Sequence, residues 1–252
     1  MQIIVYTLLN YINCCINQDT NYDIAKCLLL NIRKLSRLSL EETAELCNVS
    51  SSTFKRFCKS IGFDNYSTIK RLLKNHELPF NYTGFIENHG NGEYIEKLYM
   101  GLCLIDQISK EVFDTLARMI EKADHIYLLG YGDFQYQALY LQNVMLYHGK
   151  LFEIISQNER LTTPMKLAEN DLIIVTSLSG GYVRNMSSNL SKMHCKKVLI
   201  TMDVKAYDEF DLLIRLGNNK DENINKYLIM RTFEKIISGY YYYKTAQNVN
   251  CT

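Results

Sequence analysis

Proline and glycine are scarce, at 2 and 12 residues in a chain of 252. This excludes the Pro- and Gly-rich composition of disordered or fibrous chains and fits a folded, helix-rich protein. Long apolar runs are absent too: none reaches the roughly 20 residues needed to span a bilayer. The apolar opening from Met1 to Ile16 lacks a basic start and an Ala-x-Ala cleavage site and is interrupted by Asn10 and Asn13, so it predicts a helix rather than a signal peptide. Among the cysteines Cys14, Cys15, Cys27, Cys47, Cys58, Cys103, Cys195 and Cys251 there is no C-x-x-C pair, and no Cys/His cluster has zinc-ligand spacing. That leaves no metal site and no cofactor to propose, and reads as reduced thiols in a cytoplasmic protein. Internal repeats and low-complexity segments are also missing.

Apolar residues make up 47% of the chain and charged residues 22%, and the length suits two domains that each bury a core. The net charge of +1 is unevenly spread. Of the 28 Lys+Arg and 27 Asp+Glu, residues 1–78 hold ten and seven, and the remainder eighteen and twenty. A basic front suggests contact with nucleic acid, the alternative being an ordinary solvated surface.

Residues 1–78 show only helical periodicity, which predicts an all-α domain. A linker follows at 79–92, where Pro79, three Gly and three Asn gather in LPFNYTGFIENHGNG (78–92). Residues 93–252 predict an α/β domain. After helical stretches at Glu93–Ser109 and Lys110–Ala123, short apolar runs at 125–130, 151–156, 171–177, 197–202 and 210–216 alternate with helical segments, implying a five-stranded parallel sheet covered on both faces. The segment from Glu222 to about Gln247 is helical by pattern, and its run Tyr240–Tyr243 reads as packed surface or a subunit interface.

The segment 39–63 predicts a helix-turn-helix. Ser39 with Glu42 makes a capping box, and Leu40, Thr43, Ala44 and Cys47 fall on one face. Asn48 stands where the turn needs a left-handed residue, Val49 plugs the turn and Ser50 caps the second helix. On that helix Phe54, Phe57, Cys58 and Ile61 share the inner side, while Ser51, Ser52, Thr53, Lys55, Arg56 and Lys59 are the candidate DNA-binding residues. Short hydroxyls near a helix N-terminus suit base edges or phosphates, and Lys and Arg neutralise the backbone or reach guanine. The alternative is a helical hairpin with a solvated basic face.

These residues carry a resemblance. EETAELCNVSSSTFKRFCKSIGFDNYSTIKRLL resembles the N-terminal domain of the RpiR family of transcription regulators. The Val49-Ser50 turn, Thr53, Arg56-Phe57, Gly62-Phe63 and Tyr66–Lys70 match its pattern over about residues 20–78.

In the rear domain the first strand leads into Gly130-Tyr131-Gly132-Asp133 and the third into Ser177-Leu178-Ser179-Gly180-Gly181-Tyr182. The first loop fails as a dinucleotide fingerprint, because Gln135 stands where a third glycine belongs, and it lacks the G-K-[ST] of a P-loop. Hydroxyls and glycines opening a helix form a plausible anion cradle. In a sheet ordered 2-1-3-4-5 both loops flank the topological switch point. On the residues alone, two ordinary strand-to-helix turns fit equally well.

After an RpiR-like front, residues 95–217 resemble the SIS (sugar isomerase) domain that the family carries as its effector sensor. The resemblance implies a phosphorylated sugar held by Gly130, Gly132, Ser177, Ser179 and Gly180, with Gly181 beside them. Phe134 and Tyr182 stand where the family usually has Ser and Thr. Weak binding is therefore expected, with Tyr131, Asp133 and Tyr182 lining a reshaped pocket and Ser at position 134 improving affinity. The resemblance also implies a double-stranded DNA operator, a homodimer or homotetramer and no membrane. Two alternatives stand beside a ligand-responsive regulator: an aldose-ketose isomerase, and a DNA-binding protein whose rear domain only oligomerises. Isomerisation needs a general base near the substrate, and Asp133, His125 and His148 form no acid/base pair, so no catalytic residue is assigned.

Overall fold

The computed structural model describes residues 2–15, 17–74, 92–130, 134–155, 167–205, 207–218 and 222–249. The chain divides into two compact units, one holding the described residues before 75 and the other those from 92 onward. The proposed linker at 79–92 lies outside the described residues except Gly92.

The front unit is all-helical: α1 (Gln2–Cys14), α2 (Thr20–Leu30), α3 (Ile32–Leu35), α4 (Leu40–Leu46), α5 (Ser51–Ser60) and α6 (Tyr66–Lys74). Asp19 caps α2 by accepting from the Tyr22 N–H at 2.9 Å. Ile4, Leu8, Ile24, Leu28, Leu35, Phe54 and Ile69 bury into one core. Phe54 meets Tyr66 edge-to-face at 5.4 Å. The buried Tyr66 hydroxyl donates to the Leu35 carbonyl (2.9 Å) and accepts from Thr43 Oγ1 (2.7 Å), so its polar end costs little in the core.

The rear unit opens with α7 (Gly92–Asp106) and α8 (Lys110–Lys122). The first ends three residues short of the expected Ser109, because Ser109 instead caps α8 through the Glu111 N–H. Then come β1 (Ile126–Gly130), α9 (Phe134–Tyr147), β2 (Phe152–Ile155), β3 (Leu172–Thr176), α10 (Gly181–Leu190), β4 (Lys196–Thr201), β5 (Leu212–Arg215) and α11 (Glu222–Val249). The strands are all parallel in the order β2-β1-β3-β4-β5, the doubly wound fold expected. All five residues of β3 are buried, which is why it reads as an unbroken apolar run rather than an alternation. β1 pairs with β2 through Ile126↔Phe152 and with β3 through Ile126↔Leu172. The order therefore reverses at β1, and the C-terminal ends of β1 and β3 flank a crevice.

Helix α11 packs on α7, α8 and α9. Within its tyrosine run, Tyr240 is buried and its hydroxyl donates to Glu121 at 2.6 Å, while Tyr241 and Tyr242 are exposed. Burial alone would raise the Glu121 carboxyl, but bonds from Lys244 and Tyr240 outweigh it and hold it below the usual range. No helix among the described residues is long and apolar enough to cross a membrane.

Candidate nucleic-acid interface and ligand loop

The turn between α4 and α5 is built as its residues require. Ser39 Oγ accepts from the Glu42 N–H (3.1 Å), and Glu42 Oε2 accepts from the Ser39 N–H (2.6 Å), which completes the capping box and holds the Glu42 carboxyl low. At the other end Asn48 takes φ 55. Its N–H donates to Glu45 O at 2.9 Å and that of Val49 to Ala44 O at 3.0 Å, the paired bonds of a Schellman cap. Val49 packs on the front core. Ser50 Oγ then accepts from the Thr53 N–H at 3.2 Å and starts α5.

Helix α5 separates into two faces. Phe54, Phe57 and Cys58 are buried, whereas Ser52, Lys55, Arg56 and Lys59 are exposed and Ser51 and Thr53 half-buried. The hydroxyl of Ser50 lies 2.8 Å from that of Ser52 and 3.0 Å from that of Thr53, so donors and acceptors cluster at the helix N-terminus. No ion pair among the described residues engages Lys55, Arg56 or Lys59, which leaves three cations available to an anionic partner. Thr53 and Arg56 line a groove of about 570 Å³ together with Asp19, Thr20 and Asn21. Beneath this face burial pushes the Cys58 thiol up to about 11 and the Cys47 thiol higher still, marking both as inert core groups.

In the rear unit, Tyr131, Gly132 and Asp133 lie outside the described residues. Gly130 ends β1, and a Cβ there would collide with the Phe134 ring. That ring is 4% exposed and packs edge-to-face on Phe233 at 6.0 Å. A serine at 134 would leave this contact empty and open a cavity, a cost in stability that is separate from any effect on ligand affinity.

The loop after β3 is pinned at several points. Ser177 is buried and its Oγ accepts from the Val183 N–H in the first turn of α10 at 3.4 Å. Its carbonyl accepts from Thr201 Oγ1 at 2.7 Å, and the Leu178 carbonyl accepts from the Met202 N–H at 3.0 Å. Ser179 is exposed, Gly180 takes φ 70 and Tyr182 is buried. Three residues the sequence did not single out stand around Gly180. Arg184 donates to Asp203 Oδ2 (3.2 Å) and to the Ser179 carbonyl (3.1 Å), and the Tyr207 hydroxyl donates to Asp203 Oδ2 (2.8 Å). The Lys205 N–H, then Tyr207 and nearby cations, hold the Asp203 carboxyl below its usual range. A Cβ on Gly180 would crowd Asp203 Oδ2 and the Tyr207 hydroxyl, and the left-handed φ itself favours glycine there.

His125 precedes β1 and His148 follows α9, both at the opposite end of the sheet from these loops; His125 lies 3.9 Å from Glu153, and His148 packs on Tyr241. Among the described residues no group of His, Cys, Asp and Glu could hold a metal ion.

Residues 9–77 match the helix-turn-helix domain of the rpiR family. The HTH-type transcriptional regulator GlvR of Bacillus subtilis is 28% identical over 172 residues, covering 64% of this chain and 62% of that protein, so less than two thirds of the relative's length is spanned. Among solved structures, a putative sugar-phosphate isomerase from Listeria monocytogenes superposes with a TM-score of 0.50 at 13% identity, over 66% of this chain and 93% of that one. A Methanococcus jannaschii protein, inferred to be a 3-hexulose-6-phosphate isomerase, also gives 0.50, at 17% identity over 62% and 92%. At these identities the likeness is one of fold.

Proposed function

We propose, from the premise that residues 9–77 form a helix-turn-helix domain of the rpiR family, that this chain is a transcription regulator. It binds operator DNA through α4 and α5, and its rear domain senses a phosphorylated sugar. The observation that carries the reading is the outer face of α5, where Lys55, Arg56 and Lys59 stand exposed beside the Ser50, Ser52 and Thr53 hydroxyls. Cations in that position neutralise phosphates, and short polar groups at the helix start reach base edges.

Ser179 and the Gly181 N–H at the start of α10 are the proposed phosphate contacts, with Arg184 beside them, whereas the Gly180 N–H already donates to the Ser177 carbonyl at 3.1 Å. The fold shared with sugar-phosphate proteins supports this half. In this reading it is a sensor rather than an enzyme: the carboxylate just beyond β4, Asp203, is engaged by Arg184 and the Tyr207 hydroxyl. Paired half-sites on DNA, about 34 Å apart, call for a homodimer or higher symmetric assembly, and the role places it in the cytoplasm. The buried Phe134 ring favours a second reading, in which the rear domain only oligomerises.

The test is fluorescence anisotropy on a selected operator, with and without hexose, amino-sugar and pentose phosphates. Operator affinity that changes at least tenfold with a sugar phosphate at up to millimolar concentration is expected. A folded protein that does not distinguish operator from random DNA overturns the regulator reading, and one that ignores the whole panel leaves oligomerisation alone.

A further inference from the structure

Helix α9 contains no Asp, Glu, Lys or Arg anywhere in FQYQALYLQNVMLY. One side of it, with Phe134, Ala138, Leu141 and Met145, is buried in the sheet-facing core, which accounts for the apolar residues there. The other side is Tyr136, Leu139, Tyr140, Asn143, Leu146 and Tyr147, all exposed and recurring at the spacing of a single helical stripe. Surface helices ordinarily carry charge on their outer side, and a contiguous large apolar patch on a folded protein marks a contact surface. At the end of the stripe His148 packs on Tyr241, which meets Tyr242 edge-to-face in turn, so the patch continues onto α11.

The occupant follows from three properties of this face. Its lack of charge gives nothing to attract nucleic acid or an anionic surface, whereas uncharged, tyrosine-rich surface is the composition of protein interface cores. Its order is close to palindromic: read backwards, Tyr147, Leu146, Asn143, Tyr140, Leu139, Tyr136 repeats nearly the same residue types. A two-fold axis sets each patch against itself in reverse, so self-complementarity is the requirement for an isologous contact. The exposed fractions of the large side chains, from 37% at Tyr140 to 85% at Tyr147, amount with Tyr241 and Tyr242 to about 800 Å² if a fully exposed aromatic presents about 200 Å², and a standard interface buries about 800 Å² per partner.

We infer that α9 is the centre of a symmetric interface with a second copy of this chain. The helices run antiparallel, with Tyr136 against the partner's Tyr147, Leu139 against the partner's Leu146, and Tyr140 against the partner's Asn143. Asn143, the single amide in the stripe, fixes the register as a lone asparagine does in a coiled coil.

The experiment uses the full chain in sedimentation velocity from 1 to 100 µM. Leu139→Lys and Leu146→Glu each bury an unpaired charge twice in the symmetric dimer, and each is expected to weaken it by about 100-fold or more. Both positions are exposed, and circular dichroism shows whether the fold is kept. Mixing the two variants restores a dimer, because in the mixed pair the lysine introduced at position 139 faces the glutamate introduced at position 146 of the other copy, and at the second contact leucine faces leucine. Single variants that remain dimeric, or a wild type that is monomeric at 100 µM, overturn the inference. Single variants that dissociate and are not rescued by mixing overturn the antiparallel register. Met100→Glu on the exposed face of α7 is the comparison: a dimer broken there but not at α9 moves the interface and leaves the paired-head reading of the function intact.

Discussion

The ring of Phe134 stands where a side chain on Gly130 would be, its Cδ1 overlapping the Cβ position. The two residues are therefore one packing unit across the end of β1. Gly130→Ala is expected to destabilise the rear unit by roughly 1 to 3 kcal/mol through overpacking. In a Phe134→Ala background the same glycine substitution should cost less, since the obstacle has gone. Urea unfolding of the double-mutant cycle measures the coupling, and strictly additive effects would contradict the contact.

On the outer face of α5, Arg56→Ala is expected to weaken operator binding by roughly 1 to 3 kcal/mol and relax preference at one base pair. Lys59→Ala should weaken all sequences alike and lower the salt dependence by about one unit. Anisotropy titrations at several salt concentrations separate the two, and unchanged affinity in both folded variants would remove α5 from the interface.

At the α10 loop, Ser179→Ala is expected to reduce sugar-phosphate affinity by roughly tenfold to a hundredfold, the loss of one hydrogen bond to a charged partner. Ser177→Ala acts differently, because its hydroxyl already accepts from Val183: it should lower stability as well as affinity. Calorimetry on a panel of sugar phosphates, with thermal melts alongside, reads both. Equal losses of stability in the two variants would argue against a ligand role for Ser179.

Asn48→Ala places a Cβ-bearing residue that lacks asparagine's tolerance for this conformation at φ 55. A cost of about 1 kcal/mol is expected, whereas Asn48→Gly should be neutral or slightly stabilising. Chemical denaturation of the front unit checks this, and no difference between alanine and glycine would mean the turn adapts.

Burial raises the Cys58 thiol to about 11, so the folded state holds its proton more tightly than the unfolded chain. Stability is full below the unfolded value near 9 and falls as pH rises towards 11, by about 2 to 3 kcal/mol for a two-unit difference. Cys47 acts in the same direction. Urea midpoints between about pH 7 and 10.5 should fall less steeply in Cys58→Ala than in the wild type; parallel slopes would exclude the thiol as a cause.

Local chemistry made much of this legible in the sequence. The capping box at Ser39, the left-handed Asn48 and the two-faced α5 all depend on residues a few positions apart, and the buried strands announced themselves as apolar runs. The Arg184–Asp203–Tyr207 group could not be seen the same way, because it joins the start of α10 to the loop after β4 and exists only once the sheet brings them together. Nor does a run of four tyrosines show which one is buried. Helical phase and the partner at Glu121 select Tyr240. The sequence flagged Phe134 as a lost hydroxyl, whereas its main physical effect is the volume it fills against Phe233.

The strand order has a consequence for how the protein is made. The helices of the front unit all lie within residues 2–74, whereas β1 cannot complete its place until β3 arrives and pairs Ile126 with Leu172. Helical units with local contacts form fast, and parallel sheets wait for distant segments. On the ribosome, where domains fold as units beginning with the N-terminal one, the front unit takes shape while the sheet is still being synthesised. For that interval a nascent chain carries a finished α5 ahead of an unfinished rear unit, and a message cut short within the sheet would leave it so permanently.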